Sequence, residues 1–167
     1  MKSGEGTLTC GDGSIYEGNW RYGVCAGYGV LTMPDGGVYK GEWENNNHHG
    51  HGTFTSPSGV TYVGQWAAGR KAGHGVMTCD GDGSEYDGEW EDDMRKGYGV
   101  MTYCDGTTYK GQFLESAMSG HGVLTHSDGR VYDGQWKNNQ RSGHGVLTRE
   151  DGSVVYEGEW VRDQMTG

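Results

Sequence analysis

TCDGDGSEYDGEW, Thr78 to Trp90, reads at first as chemistry: a cysteine, two aspartates spaced D-x-D, glycines and a serine in one short run. Its second half decides the fold instead. Tyr86, Gly88 and Trp90 spell Tyr-x-Gly-x-Trp, and that pattern returns along the chain as YEGNW from Tyr16, YKGEW from Tyr39 and YVGQW from Tyr62. Beyond YDGEW it continues as YKGQF from Tyr109, YDGQW from Tyr132 and YEGEW from Tyr156. Successive tyrosines lie 23 or 24 residues apart. Eleven residues after each comes Gly-x-Gly, starting at Gly27, Gly50, Gly73, Gly97, Gly120 and Gly143, with Gly167 in the seventh such place. Self-similarity at a fixed period is the signature of a repeat architecture. A calcium loop is excluded, since counting from Asp80 its obligatory sixth-position glycine would be Glu85. Only Cys79 and the residue inserted beside it depart from the beat.

Each unit reads as a β-hairpin. Tyr-x-Gly-x-Trp alternates with period two, so Tyr16, Gly18 and Trp20 share a sheet face. After a loop of about six residues, Gly-x-Gly-Val-Leu-Thr is the returning strand. Gly27, Gly29 and Leu31 then share one face and Tyr28, Val30 and Thr32 the other. An Asp-Gly pair turns the chain into the next unit, because glycine tolerates positive φ. Helix is disfavoured, as glycine costs about 1 kcal/mol per helical position and no 3.6-residue apolar stripe exists. The predicted fold is all-β: an extended, rod-like, single-layer antiparallel sheet of consecutive 23-residue hairpins.

Composition agrees. Glycine supplies 34 of 167 residues, with eleven tyrosines and six tryptophans, so packing should set rings against bare backbone rather than build an aliphatic core. The aromatic ladder is Tyr16, Trp20, Tyr39, Trp43, Tyr62, Trp66, Tyr86, Trp90, Tyr109, Phe113, Tyr132, Trp136, Tyr156 and Trp160. Rings of one hairpin are expected over the Gly-x-Gly of its neighbours, since a strand glycine lets a bulky group approach. One hairpin is too small to fold alone, so stability must come from stacking.

At these residues the chain resembles the MORN-repeat family, whose consensus is similar to Y-x-G-x-W-x(6)-G-x-G followed by a turn Asp-Gly. The match spans residues 1–167 as one continuous array of about seven repeats. Departures are Phe113 for Trp, Ser58 for the turn Asp, and single insertions near Asp80 and Val155. The resemblance implies a scaffold or dimerisation module, cytoplasmic and associated with a membrane-linked cytoskeleton or cell cortex, with cytoskeletal or cortical proteins as partners. Both ends fall inside a unit, giving the expectation of a stretch cut mid-repeat from a longer array. Unpaired terminal strands would serve self-association, with a two-fold homodimer through the terminal repeats as the closed solution. A passive array beside a missing catalytic domain is a third reading.

Enzymatic motifs are absent: Gly-x-Gly here opens no G-x-G-x-x-G before a helix, and no nucleophile elbow occurs. The expectation is therefore no enzyme and no required cofactor. His51, His74, His121 and His144 occupy the x of Gly-x-Gly, as Tyr28 and Tyr98 do, and read as a polar row on the second face. The formal charge of −10 argues against nucleic acid, where contacts come from Lys and Arg. No apolar run approaches a transmembrane helix. The resemblance also implies membrane lipids as an alternative partner, for which Arg70, Lys71, Arg95 and Lys96 in the six-residue loops are the candidate basic pairs. Four cysteines without CxxC spacing read as reduced thiols. Cys79, Cys104 and His126 fall in successive turns with Asp105 alongside, and thiolate, imidazole and carboxylate are the donors zinc prefers. Against that group, undistorted turns would set Cys79 and His126 about 19 Å apart.

Overall fold

The computed structural model describes residues 3–167. It resolves into two compact units, one reaching to Asp82 and including Glu91–Asp93, the other made of Gly83–Trp90 with Met94–Gly167. The first unit carries β1 (Gly4–Thr9), β2 (Ile15–Arg21), β3 (Val24–Thr32), β4 (Val38–Glu44), β5 (Asn47–Thr55), β6 (Val60–Ala67) and β7 (Arg70–Cys79). The second carries β8 (Ser84–Glu91), β9 (Met94–Thr102), β10 (Thr108–Leu114), β11 (Ala117–Thr125), β12 (Val131–Lys137), β13 (Gln140–Thr148), β14 (Val154–Val161) and β15 (Gln164–Met165). In each unit sheet order equals chain order and neighbours are antiparallel. The chain is all-β, an open antiparallel sheet of consecutive hairpins, with no helix among the described residues.

Hairpin tips are shorter than the spacing suggests. The expected six-residue loop is a two-residue turn, with the rest of the segment in the returning strand: β2 ends at Arg21 and β3 starts at Val24. Both turn residues take positive φ, as at Asn45 and Asn46 (50° and 65°) and Asn138 and Asn139 (50° and 65°). Such primed turns match the twist of the strands they join. The extra length is absorbed by a bulge. Gly18 pairs with Gly29 but Trp20 with Cys25, so β3 spends two more residues than β2 over the same span. The first glycine of Gly-x-Gly sits in that bulge, left-handed at Gly27 (φ 82°) and Gly120 (φ 63°), rather than in plain alternation with the second. At the opposite end, Asp-led turns close as expected: Asp12, Asp35, Asp105, Asp128 and Asp151 each accept the backbone N–H two residues on. The insertion at Val155 is a one-residue bulge, with Leu147 opposite Tyr156 and Thr148 opposite Val154.

The core is the aromatic face. Thirteen of the fourteen ladder rings are buried and Tyr156 is half-buried. Each ladder tyrosine from Tyr16 to Tyr132 lies over the second glycine of its own hairpin's Gly-x-Gly: a methyl built on Gly52 would overlap the Tyr39 ring. The tryptophan reaches back instead, and its indole N–H donates to the glycine carbonyl of the preceding hairpin, Trp43 to Gly29 at 3.2 Å and Trp136 to Gly122 at 3.0 Å. Rings therefore divide the labour between own and neighbouring hairpin. Within the units Tyr and Trp meet edge to face, Tyr39 with Trp43 at 5.3 Å and with Trp66 at 5.2 Å. Tyr109 meets Phe113 at 5.2 Å and Trp136 at 5.4 Å. That geometry adds about 0.5–1.5 kcal/mol per pair to the area buried.

The bulge would strand a backbone carbonyl three residues after each tyrosine, and the tyrosine hydroxyl donates to it. Tyr39 to Glu42, Tyr62 to Gln65 and Tyr109 to Gln112 all measure 2.9 Å. The same Glu or Gln side chain accepts the N–H of the bulge, as Gln112 does from His121 at 3.0 Å. Burial holds the hydroxyl protons on, raising Tyr86 and Tyr132 to about 12.

Candidate functional site

One variable position opens onto the aromatic face. Nine residues after each tyrosine stand Cys25, His48, Lys71, Arg95, Met118 and Arg141, second in their strands. His48 stacks on Tyr39 at 3.6 Å and meets Trp43 and Trp66 edge-on. Its buried Nδ1 has no hydrogen-bond partner, and desolvation lowers its pKa to about 4. Lys71 stands over Tyr62, Arg95 over Tyr86 and Phe113, and Arg141 over Trp160 at 4.3 Å. Except at His48, where the next tip turn carries Gly69, a side chain of that turn locks the strand at this point. Cys25 N–H donates to Asn46 Oδ1 at 2.8 Å, Lys71 to Asp93 at 2.9 Å, Arg95 to Ser116 at 3.1 Å and Met118 to Asn139 at 2.8 Å. Sequence reasoning missed this row. Its only signal is the fixed offset from tyrosine, since the six side chains share no chemistry.

In the second unit the face opens into a groove of about 530 Å³. Its floor is apolar, from Met118, Leu124 and Trp136, and its rim carries Tyr103, Cys104, His126, Asn139 and Arg141. Met118 lines the groove at the position where Arg95 and Arg141 stand over rings in the adjoining hairpins. Arg141 is held by Asp163, Nε to Oδ1 at 3.1 Å.

The four residues considered for zinc are not gathered. Cys79 is the last residue of β7, opposite Val60, rather than a turn residue. Cys104 is exposed in its turn, and the Asp105 carboxylate is engaged with Thr107 N–H at 2.8 Å, which lowers its pKa. His126 opens the following turn. Cys104, Asp105 and His126 border the groove, yet among the described residues no three His, Cys, Asp or Glu side chains converge as metal ligands. The basic pairs are also divided, because they lie in strands where neighbours point to opposite faces. Lys71 and Arg95 turn onto the rings, while Arg70 pairs with Asp92 at 3.4 Å and Lys96 is exposed on the other side. The histidine row is on the second face as expected, with His121 Nε2 2.7 Å from Asp133.

Comparison with known proteins bears on this arrangement. None of the curated proteins matches the chain. Among solved structures, the chain is similar to the TCP domain of SAS-4 (dCPAP) from Drosophila melanogaster, solved with a proline-rich motif of Ana2 (dSTIL). That match has 10% identity and a TM-score of 0.51 over 93% of this chain and 90% of the other, which is a likeness of fold. The TCP10c domain of Drosophila melanogaster Sas-4 matches with 8% identity and a TM-score of 0.46 over 93% and 99% of the two chains. The MORN repeat profile matches eight consecutive segments: 1–15, 16–38, 39–61, 62–83, 86–108, 109–129, 132–154 and 156–167. With the ring, glycine and turn positions of each segment accounted for in the sheet, the chain belongs to the MORN-repeat family.

Proposed function

We propose that the chain is a non-enzymatic scaffold module that binds other proteins, and that the aromatic-face groove of the second unit seats an extended segment of a partner. The observation carrying this reading is the groove itself, an apolar floor with a polar rim. Apolar concavity with a few convergent polar groups is the usual form of a binding site. The similar TCP domain, solved with a proline-rich motif, gives a precedent for a sheet of this type holding a peptide. Self-association as a homodimer through the terminal repeats, and a cytoplasmic place in a membrane-associated cortical cytoskeleton, belong to the same proposal and rest on the family resemblance. Phospholipid binding has weaker support, because Lys71 and Arg95 are drawn onto the rings and away from any basic patch.

The test is retention of a random peptide library by the intact chain and by Met118→Asp. Wild type should enrich apolar-anchored peptides at least tenfold over the variant, while Tyr28→Ala on the second face leaves enrichment unchanged. Equal enrichment by wild type and Met118→Asp would remove the groove from the account. Light scattering checks the dimer, which a monomer at high concentration would contradict.

A further inference from the structure

Arg95 is a half-buried cation without a carboxylate. Its guanidinium lies over Tyr86 at 5.4 Å and Phe113 at 5.3 Å, and one terminal nitrogen donates to the Ser116 carbonyl at 2.8 Å. The other terminal nitrogen meets only the Met101 sulfur, at 3.7 Å. Among the described residues no Asp or Glu pairs with it, in contrast to Arg141 with Asp163 and Arg70 with Asp92. It is also beside the groove. Tyr103, which lines the groove, feels the Arg95 charge.

We propose that the segment bound in the groove presents a carboxylate to Arg95, three residues from a bulky apolar side chain seated over Met118, Leu124 and Trp136. This rests on the groove reading above and specifies the partner's chemistry. The spacing follows from the register. Arg95 and Met118 hold the same place in consecutive hairpins, two strands apart, which is about 9.6 Å at sheet spacing. Three residues of polyproline II chain span about 9.3 Å and, at three residues per turn, bring both side chains back to the same side. The chemistry follows from the guanidinium, a flat fork of donors that takes a carboxylate through two parallel bonds. Rings on one side and solvent on the other leave the cation partly desolvated, where an arriving carboxylate interacts more strongly than at an open surface.

The test uses three fluorescein-labelled, end-capped peptide pools: Glu-x-x-Leu, Gln-x-x-Leu and Glu-x-x-Gly, with x randomised among Ser, Thr and Pro. Anisotropy titration against the full chain should show the Glu-x-x-Leu pool binding at least tenfold tighter than Gln-x-x-Leu, with the advantage shrinking as salt rises. Arg95→Met should erase the advantage without harming the fold, because the next hairpin already carries Met118 at that position. Equal binding of the Glu and Gln pools overturns the carboxylate while leaving the groove reading intact. A Glu preference that survives Arg95→Met also overturns it, since another cation would then be reading the acid. If Glu-x-x-Leu binds no better than Glu-x-x-Gly, or if no pool binds, the apolar anchor fails and the groove reading falls with it.

Discussion

Gly122→Ala isolates the packing on which the second unit depends. A methyl there would lie 2.5 Å from both Cε2 and Cζ of Tyr109 and closer still to its hydroxyl oxygen. Ordinary contact needs roughly 1 Å more, so the ring must move. Phe113 on one side and Trp136 on the other meet that ring edge to face, and its hydroxyl donates to Gln112 O at 2.9 Å. Overpacking of this kind costs about 1–3 kcal/mol. Displacing the hydroxyl leaves a half-buried carbonyl without its donor, a further 1–3 kcal/mol or so. The expected loss is therefore about 2–6 kcal/mol, against less than about 1 kcal/mol for His121→Ala, whose side chain points to the other face. Repeat arrays do not unfold in one step, so the readout is native-state hydrogen exchange of amides in β10–β12. The tyrosine must carry the effect. In a double-mutant cycle with Tyr109→Ala, the pair should cost clearly less than the sum of the singles. A loss under about 1 kcal/mol, or additive behaviour, would refute the ring-on-glycine account.

Three further outcomes follow from the same geometry. Tyr109→Phe removes only the hydroxyl and should cost about 1–2 kcal/mol, read by hydrogen exchange at the Gly111–Phe113 amides. Asn139→Gly keeps the left-handed turn but deletes the 2.8 Å lock on Met118 N–H, for a loss of about 1 kcal/mol; Gly69 already fills that turn position in the first unit. His48, held near pKa 4 against an ordinary 6.5 by desolvation, is neutral in the folded state and charges more readily when unfolded. Stability of the first unit should thus be full above about pH 6.5 and fall as pH drops toward 4, by about 3 kcal/mol at most and roughly 1–2 kcal/mol after allowing for solvent at the exposed edge. Urea midpoints at pH 7 and pH 5 test this, and His48→Met should flatten the difference.

The residues that made the fold legible are those whose identity cannot vary: Tyr39 needs a hydroxyl, Gly41 and Gly52 have no room for a Cβ, and Trp43 needs an indole N–H. Phe113 is the informative departure, since it keeps its edge-to-face contacts at 5.1 and 5.2 Å while lacking a ring N–H to donate. What was not legible depends on backbone conformation. Gly27 and Gly29 look alike in sequence, yet only the first is left-handed, and that bulge is what shortens the loop and moves Lys71 and Arg95 into strands. Sequence adjacency then misled twice. Arg70 and Lys71 point to opposite faces, and Cys79 sits in a strand while Cys104 sits in a turn, although both fall within two residues after a strand threonine. The row from Cys25 to Arg141 escaped notice because it is conformationally uniform and chemically mixed.

The functional claim is best tested at Trp136, on the groove floor. With all six tryptophans replaced by 5-fluorotryptophan, each indole gives its own fluorine resonance, assigned by single Trp→Phe variants. Titration with the Glu-x-x-Leu pool should shift the Trp136 resonance first and most, while Trp20 and Trp43 in the other unit stay fixed. Saturable binding that leaves Trp136 unmoved, or that shifts Trp20 or Trp43 instead, would contradict a partner-binding groove on the aromatic face of the second unit.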